Sequence, residues 1–172
     1  MKKTYLNWKF KKTRLNNVIQ IIPSEFKDQR GSYVEIYNKE FFQKKKLKIN
    51  FIQDDISVSK KNVLRGLHGD SKTWKLISCL FGEFQLIVVN NDQKSNQYKK
   101  WESFKLSAKN RKQILVPPKF GNGHLVLSEK AIFYYKQNTQ YDRKSQFTIK
   151  WNDPSFKFKW LRKKVILSKR DK

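Results

Sequence analysis

The sequence has little of what covalent staples and catalytic metals require. Its single cysteine, Cys79, rules out an internal disulfide and fits a reducing compartment. His68 and His124 are the only histidines. With one cysteine they fall short of the ligand set of a typical zinc site, and no H-x-H pair is present, so no metal-ligating residues and no bound cofactor are expected. No stretch approaches the ~20 apolar residues of a membrane-spanning helix. Met1-Lys2-Lys3 leads into polar and aromatic residues rather than the apolar run of a secretory signal, so the expected location is the cytoplasm, away from any membrane. A phosphate-binding Gly-Lys loop, a dinucleotide fingerprint and a serine-nucleophile elbow are all missing. So are internal repeats and Pro/Gly-rich joints. The 172 residues are therefore expected to form one domain, 1–172, with the basic residues 1–16 as a loose arm or an edge strand.

Acidic residues are also scarce: 14 Asp and Glu stand against 39 Lys and Arg, a net charge of +25. A nucleic-acid binder would gather this charge into a patch or tail. Here lysines run through almost every segment from Lys2 to Lys172, and Lys44-Lys45-Lys46 reads as a solvated helix face. No nucleic-acid partner is expected, although a few of these cations in a cleft would suit an anionic substrate. Aromatic residues make up 15% of the chain, enough for a real core, so global disorder is rejected. Short β-branched and aromatic runs recur at 18–22, 32–37, 49–53, 74–80, 84–89, 103–106, 113–116, 124–127, 131–135 and 147–151, many of them separated by turn residues. One short helix is expected around 38–46, with Asn38 as its N-cap. Many strands and few helical spacers predict an all-β sandwich or barrel, the jelly roll being the commonest closed form. Gly82 in Leu80-Phe81-Gly82-Glu83-Phe84 reads as a tight hairpin turn.

Few residues offer chemistry. Arg65-Gly66-Leu67-His68-Gly69-Asp70 places a guanidinium, suited to a diphosphate, beside an imidazole, suited to proton abstraction. On spacing alone, a surface turn is the better reading. Lys75 lies seven residues after His68, so a hairpin would bring them together and let the lysine stabilise an enolate oxygen. A solvated lysine is the plainer alternative. Tyr134 and Tyr135 are adjacent on a strand and point to opposite faces, so one can enter a barrel interior as a proton donor, although aromatic packing is the commoner use.

Taken together, five blocks resemble the dTDP-4-dehydrorhamnose 3,5-epimerase family of cupins from about Phe26 to Asp171. They are Phe26-Lys-Asp-Gln-Arg-Gly31, Gln53-Asp-Asp-Ile-Ser57, Leu64-Arg-Gly-Leu-His68, Tyr135-Lys-Gln-Asn-Thr-Gln-Tyr141 and Trp151-Asn-Asp-Pro154, and Leu167-Ser-Lys-Arg-Asp171 closes the series. The resemblance implies a cupin jelly-roll barrel with short peripheral helices. It makes His68 the base, Asp171 the carboxylate that orients it, Tyr135 the acid on the opposite face of the sugar and Lys75 the group near the C4 oxygen. Arg65 matches the phosphate- and sugar-side arginine, and Tyr141 a second pocket tyrosine. Gln53 falls in a matching substrate-binding block. Phe26, Arg30 and Glu35 match residues that reach nucleotide or sugar, partly from the neighbouring subunit of a homodimer. The family usually carries an Ala-His-Gly-Phe-like run where this chain has Gly121-Asn122-Gly123-His124, so Asn122 replaces a pocket histidine. The segment from His68 to Lys75 is shorter than in the rhamnose enzymes and looks more like the branch acting on GDP-linked 4-keto-6-deoxy heptoses in capsule pathways.

The resemblance implies cofactor-independent epimerisation at C3, C5 or both of a nucleoside-diphosphate 4-keto-6-deoxy sugar, dTDP- or GDP-linked. A neighbouring ketone acidifies those C–H bonds because the resulting carbanion delocalises into an enolate. Alternatives are a sugar-nucleotide 3,4-ketoisomerase and a catalytically impaired cupin that only binds the nucleotide sugar.

Overall fold

The computed structural model describes residues 8–172. The strands in chain order are β1 (Lys9–Lys12), β2 (Ile19–Ile22), β3 (Glu25–Asp28), β4 (Gly31–Val34), β5 (Gln53–Lys60), β6 (Leu64–Gly69), β7 (Lys75–Phe81), β8 (Glu83–Asn90), β9 (Trp101–Ser107), β10 (Gln113–Val116), β11 (Phe120–Val126), β12 (Lys130–Gln137) and β13 (Phe147–Thr148). The helix α1 spans Lys39–Lys44, and the Asn38 side chain caps it by accepting from the Phe41 N–H at 3.0 Å. One sheet has the order β1-β2-β10-β7-β12-β5, a second β13-β6-β11-β8-β9, and β3-β4 form a separate hairpin. From β5 to β8, and again from β9 to β12, consecutive strands alternate between the two large sheets. This is a double-sheet jelly roll, among the forms that the run of short strands predicts and the cupin form that the resemblance implies.

Period-2 alternation builds three apolar layers. Phe84, Leu86 and Val88 of β8 face Ile77 and Cys79 of β7 and Ile114 and Val116 of β10 between the sheets. The intervening Ile87 and Val89 face outward under Ile149, Phe156 and the Trp151–Trp160 segment. Leu76 and Leu115 face out on the other side, under Phe42 of α1. Each fully buried aliphatic side chain of this kind contributes about 1.5–3 kcal/mol by leaving water.

Four local expectations change. The strand expected at 49–53 instead begins at Gln53, because Ile49 and Phe51 pack beside α1 rather than in a sheet. The run 32–37 keeps strand only to Val34, and Tyr37 turns away to meet Phe42 and Phe51. Arg65–Gly69 is strand, not a surface turn. Gly82 makes a tight turn at φ +70°, but it carries the chain from one sheet to the other and joins no hairpin. A Cβ there would sit 2.1 Å from the Lys130 carbonyl oxygen, so the corner closes only around glycine.

Candidate active site

A cleft of about 410 Å³ opens between the sheets. The strands β5, β7 and β12 line one wall, β6 and β11 the other, and residues from 141–146 and 168–171 close its sides.

Arg65 and His68 are three residues apart, so regular alternation would send them to opposite faces. Both nevertheless line the cleft. On β11, Asn122 pairs with His68 and His124 with Arg65, so Gly66 and Leu67 together oppose Gly123. This bulge turns both side chains into the cleft while Leu67 stays in the outer layer. Gly66 sits at φ +107°, and a Cβ there would lie 2.6 Å from the Asn122 carbonyl oxygen.

His68 Nε2 lies 2.8 Å from Asp171 Oδ1, and the Asp171 side chain is 4% exposed. Ser168 Oγ donates to Asp171 Oδ2 at 2.8 Å. Burial pulls the Asp171 carboxyl upward, but the hydrogen bonds from His68, Ser168 and the Gly66 backbone outweigh it and hold the group below the usual carboxylate range. Asp171 is therefore an ionised partner that fixes the imidazole ring.

The expected hairpin between His68 and Lys75 does not form, because β6 and β7 belong to different sheets. Asp70 shapes the crossing by accepting from the Lys72 and Thr73 N–H groups at 2.9 and 2.7 Å. Lys75 thus enters the cleft from the wall opposite His68. It is 8% exposed, and its ammonium lies 5.4 Å from the Tyr135 ring centre. Burial lowers its pKa, Asp70 and Asp55 oppose that, and Arg170 adds to it.

Tyr135 packs with the inter-sheet core, whereas the outward Tyr134 hydroxyl meets Asp54 at 3.3 Å. Burial pushes the Tyr135 phenol well above its ordinary pKa, and the hydrogen-bonded Asp55 carboxylate pushes the same way. The phenol therefore keeps its proton at neutral pH.

Gln53 Nε2 donates to Asp55 Oδ2 at 2.8 Å, and Gln53 Oε1 accepts from the Tyr141 N–H at 2.8 Å. Arg65 Nε donates to Ser59 Oγ at 3.0 Å. Asn122 and Tyr141 line the cleft with these residues. Phe26 and Arg30 do not: they lie on the β3-β4 hairpin, where Phe26 is 50% exposed and Arg30 Nη2 is 2.6 Å from Asp28 Oδ2. Glu35, just past this hairpin, accepts from Asn38 Nδ2 at 3.0 Å. Nine cleft residues have no role assigned from sequence: Asp55, Ile56, Ser57, Gly66, His124, Phe133, Gln146, Ser168 and Arg170. Asp55 was findable, since period-2 spacing puts it on the face of Gln53 and Ser57. Ser168 and Arg170 belong to the irregular segment before Asp171, which has no periodicity to read.

Fold and cleft define a cupin-type protein whose polar cleft, lined by His68, Asp171, Lys75 and Tyr135, is shared between two sheets. The dTDP-4-dehydrorhamnose 3,5-epimerase family model matches residues 12–172, and the chain belongs to that family. The dTDP-4-dehydrorhamnose 3,5-epimerase of Salmonella typhimurium is 38% identical over 153 residues, 87% of this chain and 84% of that protein. The crystal structure of dTDP-6-deoxy-D-glucose-3,5-epimerase from Legionella pneumophila, in complex with dTDP-4-keto-L-rhamnose, superposes with a TM-score of 0.92 at 32% identity, covering 96% of this chain and 90% of that one. The dTDP-4-dehydrorhamnose 3,5-epimerase structure from Elizabethkingia anophelis gives 0.88 at 37% identity, covering 95% and 93%. The epimerase class expected from the sequence holds.

Proposed function

We propose that this epimerase inverts C3, C5 or both of a nucleoside-diphosphate 4-keto-6-deoxy sugar, with His68 as base and Tyr135 as acid. The observation that carries the reading is the opposition of the His68–Asp171 pair on one wall to Tyr135 and Lys75 on the other. His68 takes the proton from a carbon beside the C4 ketone, and the C–H electron pair moves into the enolate. Asp171 balances the charge that forms on the imidazole. Lys75, buried in the opposite wall, stabilises the oxygen that becomes negative, which is usually the largest contribution in such catalysis. Tyr135 gives its proton to the opposite face of the same carbon, completing the inversion without net oxidation or reduction. Its raised pKa means that only a strongly basic acceptor, such as the enolate carbon, removes that proton. Arg65 and Arg170 supply positive charge at the cleft for the diphosphate.

Homodimerisation in the cytoplasm belongs to the same reading. It is supported by the β3-β4 hairpin, whose Phe26 and 69%-exposed Tyr33 stand outside this chain's cleft and are free to complete a second copy's. The test is incubation with dTDP- and GDP-linked 4-keto-6-deoxy sugars in deuterated water, with the label located by NMR. Deuterium at C3 or C5 with inverted configuration is expected in one nucleotide series. An absence of label in both refutes the reading.

A further inference from the structure

Besides His68 Nε2 and Asp171 Oδ1, which meet each other at 2.8 Å, three side-chain atoms in the cleft are shielded from water and have no hydrogen-bond partner among the described residues: Ser57 Oγ, Asn122 Oδ1 and His124 Nε2. Asn122 and His124 stand two apart on β11 and so share a face. Ser57 pairs across β5-β12 with Phe133, and the His124 ring stacks on Phe133 with centres 4.1 Å apart and planes at 10°. The three residues are therefore neighbours on the lining of one cleft. His124 is 4% exposed, so its nitrogen has no alternative partner in solvent. Buried polar groups are ordinarily paired, and each one that is not weakens the fold until something fills it. An apolar side chain would serve the stacking contact equally well. The polarity of this lining therefore points to a ligand.

We propose that His124, with Asn122 and Ser57, forms an uncharged hydrogen-bonding subsite for a hydroxyl of the substrate's sugar, and that His124 is a specificity-determining residue. The inference rests on the nucleotide-sugar reading above and deepens it. Uncharged groups suit a hydroxyl, which both donates and accepts. Neutral imidazole offers one N–H and one bare nitrogen, the amide oxygen accepts, and the serine does either. A phosphate would instead call for the cations at Arg65 and Arg170. Such a site rejects a sugar lacking the hydroxyl, because the three atoms are then left buried and unpaired.

The test compares wild type with His124→Phe and His124→Gln by calorimetry. The ligands are dTDP and dTDP-glucose, and GDP and GDP-mannose. Phenylalanine preserves the stacking on Phe133 and removes the nitrogen, whereas glutamine restores an amide near Nε2. The expected result is that His124→Phe leaves affinity for the nucleoside diphosphate unchanged and lowers affinity for its sugar conjugate about tenfold. His124→Gln should recover part of that loss, and unliganded His124→Phe should melt no lower than wild type. Equal sugar-conjugate affinity in wild type and His124→Phe overturns the His124 assignment alone. So does an equal loss for nucleotide and conjugate, which marks a structural role. Binding of neither nucleotide sugar to wild type overturns the nucleotide-sugar reading itself.

Discussion

Replacing Tyr135 with phenylalanine separates proton abstraction from inversion. The ring stays, and with it the contact to Phe133 at 5.6 Å and the platform under Lys75 at 5.4 Å. What goes is one hydroxyl and its hydrogen bond to Asp55. Asp55 keeps its bond from Gln53 at 2.8 Å, so no carboxylate is orphaned. The stability cost is therefore that of one ordinary hydrogen bond, about 1 kcal/mol, and a fall in melting temperature of about 2–4 °C. The catalytic cost is larger. A positioned acid supplies about 10²–10⁴ in rate, or roughly 3–5 kcal/mol of barrier. Inversion should fall by that factor, while deuterium still enters from solvent within about tenfold of wild type, because His68, Asp171 and Lys75 remain. The enolate is then reprotonated mainly from the His68 side, on the original face. The assay follows deuterium incorporation and configuration in one NMR time course. Tyr134→Phe is the control, since its hydroxyl lies on the outer face with Asp54. Inversion by Tyr135→Phe within about tenfold of wild type, or identical behaviour of the two variants, would refute the assignment of the acid.

Three further outcomes follow from the geometry. His68→Asn should abolish both wash-in and inversion with the fold retained by circular dichroism; a rate within about tenfold of wild type, roughly 1.4 kcal/mol, removes His68 as the base. Gly66→Ala places a Cβ 2.6 Å from the Asn122 carbonyl oxygen at φ +107°, and should lower stability in urea by about 2 kcal/mol or more, whereas an unchanged midpoint would contradict the bulge. His124 is held neutral, its pKa driven down to about 3 by burial and by Arg65, with Asp171 opposing. The unfolded chain binds that proton near its ordinary pKa of about 6.5, so stability is full above this pH and falls as pH drops towards 3, by up to about 1.4 kcal/mol per pH unit. His124→Phe should flatten the urea midpoint between pH 7 and 5, and an unchanged slope would show that the imidazole is not buried neutral.

How far the sequence reveals this molecule depends on whether a signal is local. The Asn38 cap, the opposed tyrosines and the apolar strands through 74–89 are readable because capping and period-2 patterning act within a few residues. The strand β5 was missed because Gln53, Asp55 and Ser57 turn polar side chains towards the cleft, and the apolar residues expected there, Ile49 and Phe51, serve the layer under α1. Gly82 announces a turn, yet nothing local states that the turn changes sheets. Lys75 shows the same limit: its position opposite His68 depends on the β6–β7 crossover, not on a separation of seven residues. Arg170 and Ser168 escape for a different reason, since they lie in irregular chain, Ser168 bonded to the Asp171 that meets His68 of β6 and Arg170 bonded to Tyr141 and Gln146.

The alternation of successive strands between sheets also bears on how the molecule reaches its active form. His68 and Tyr135 belong to strands in different sheets, β6 and β12, and Asp171 arrives only after both. No contiguous fragment from the first part of the chain holds the proposed base, orienting carboxylate and acid together. Pairings this distant in sequence close late and slowly, since loop entropy must be overcome before the contacts reward it. Regain of activity during refolding is thus a sensor of the final docking of sheet on sheet, and should lag behind the recovery of strand signal by circular dichroism.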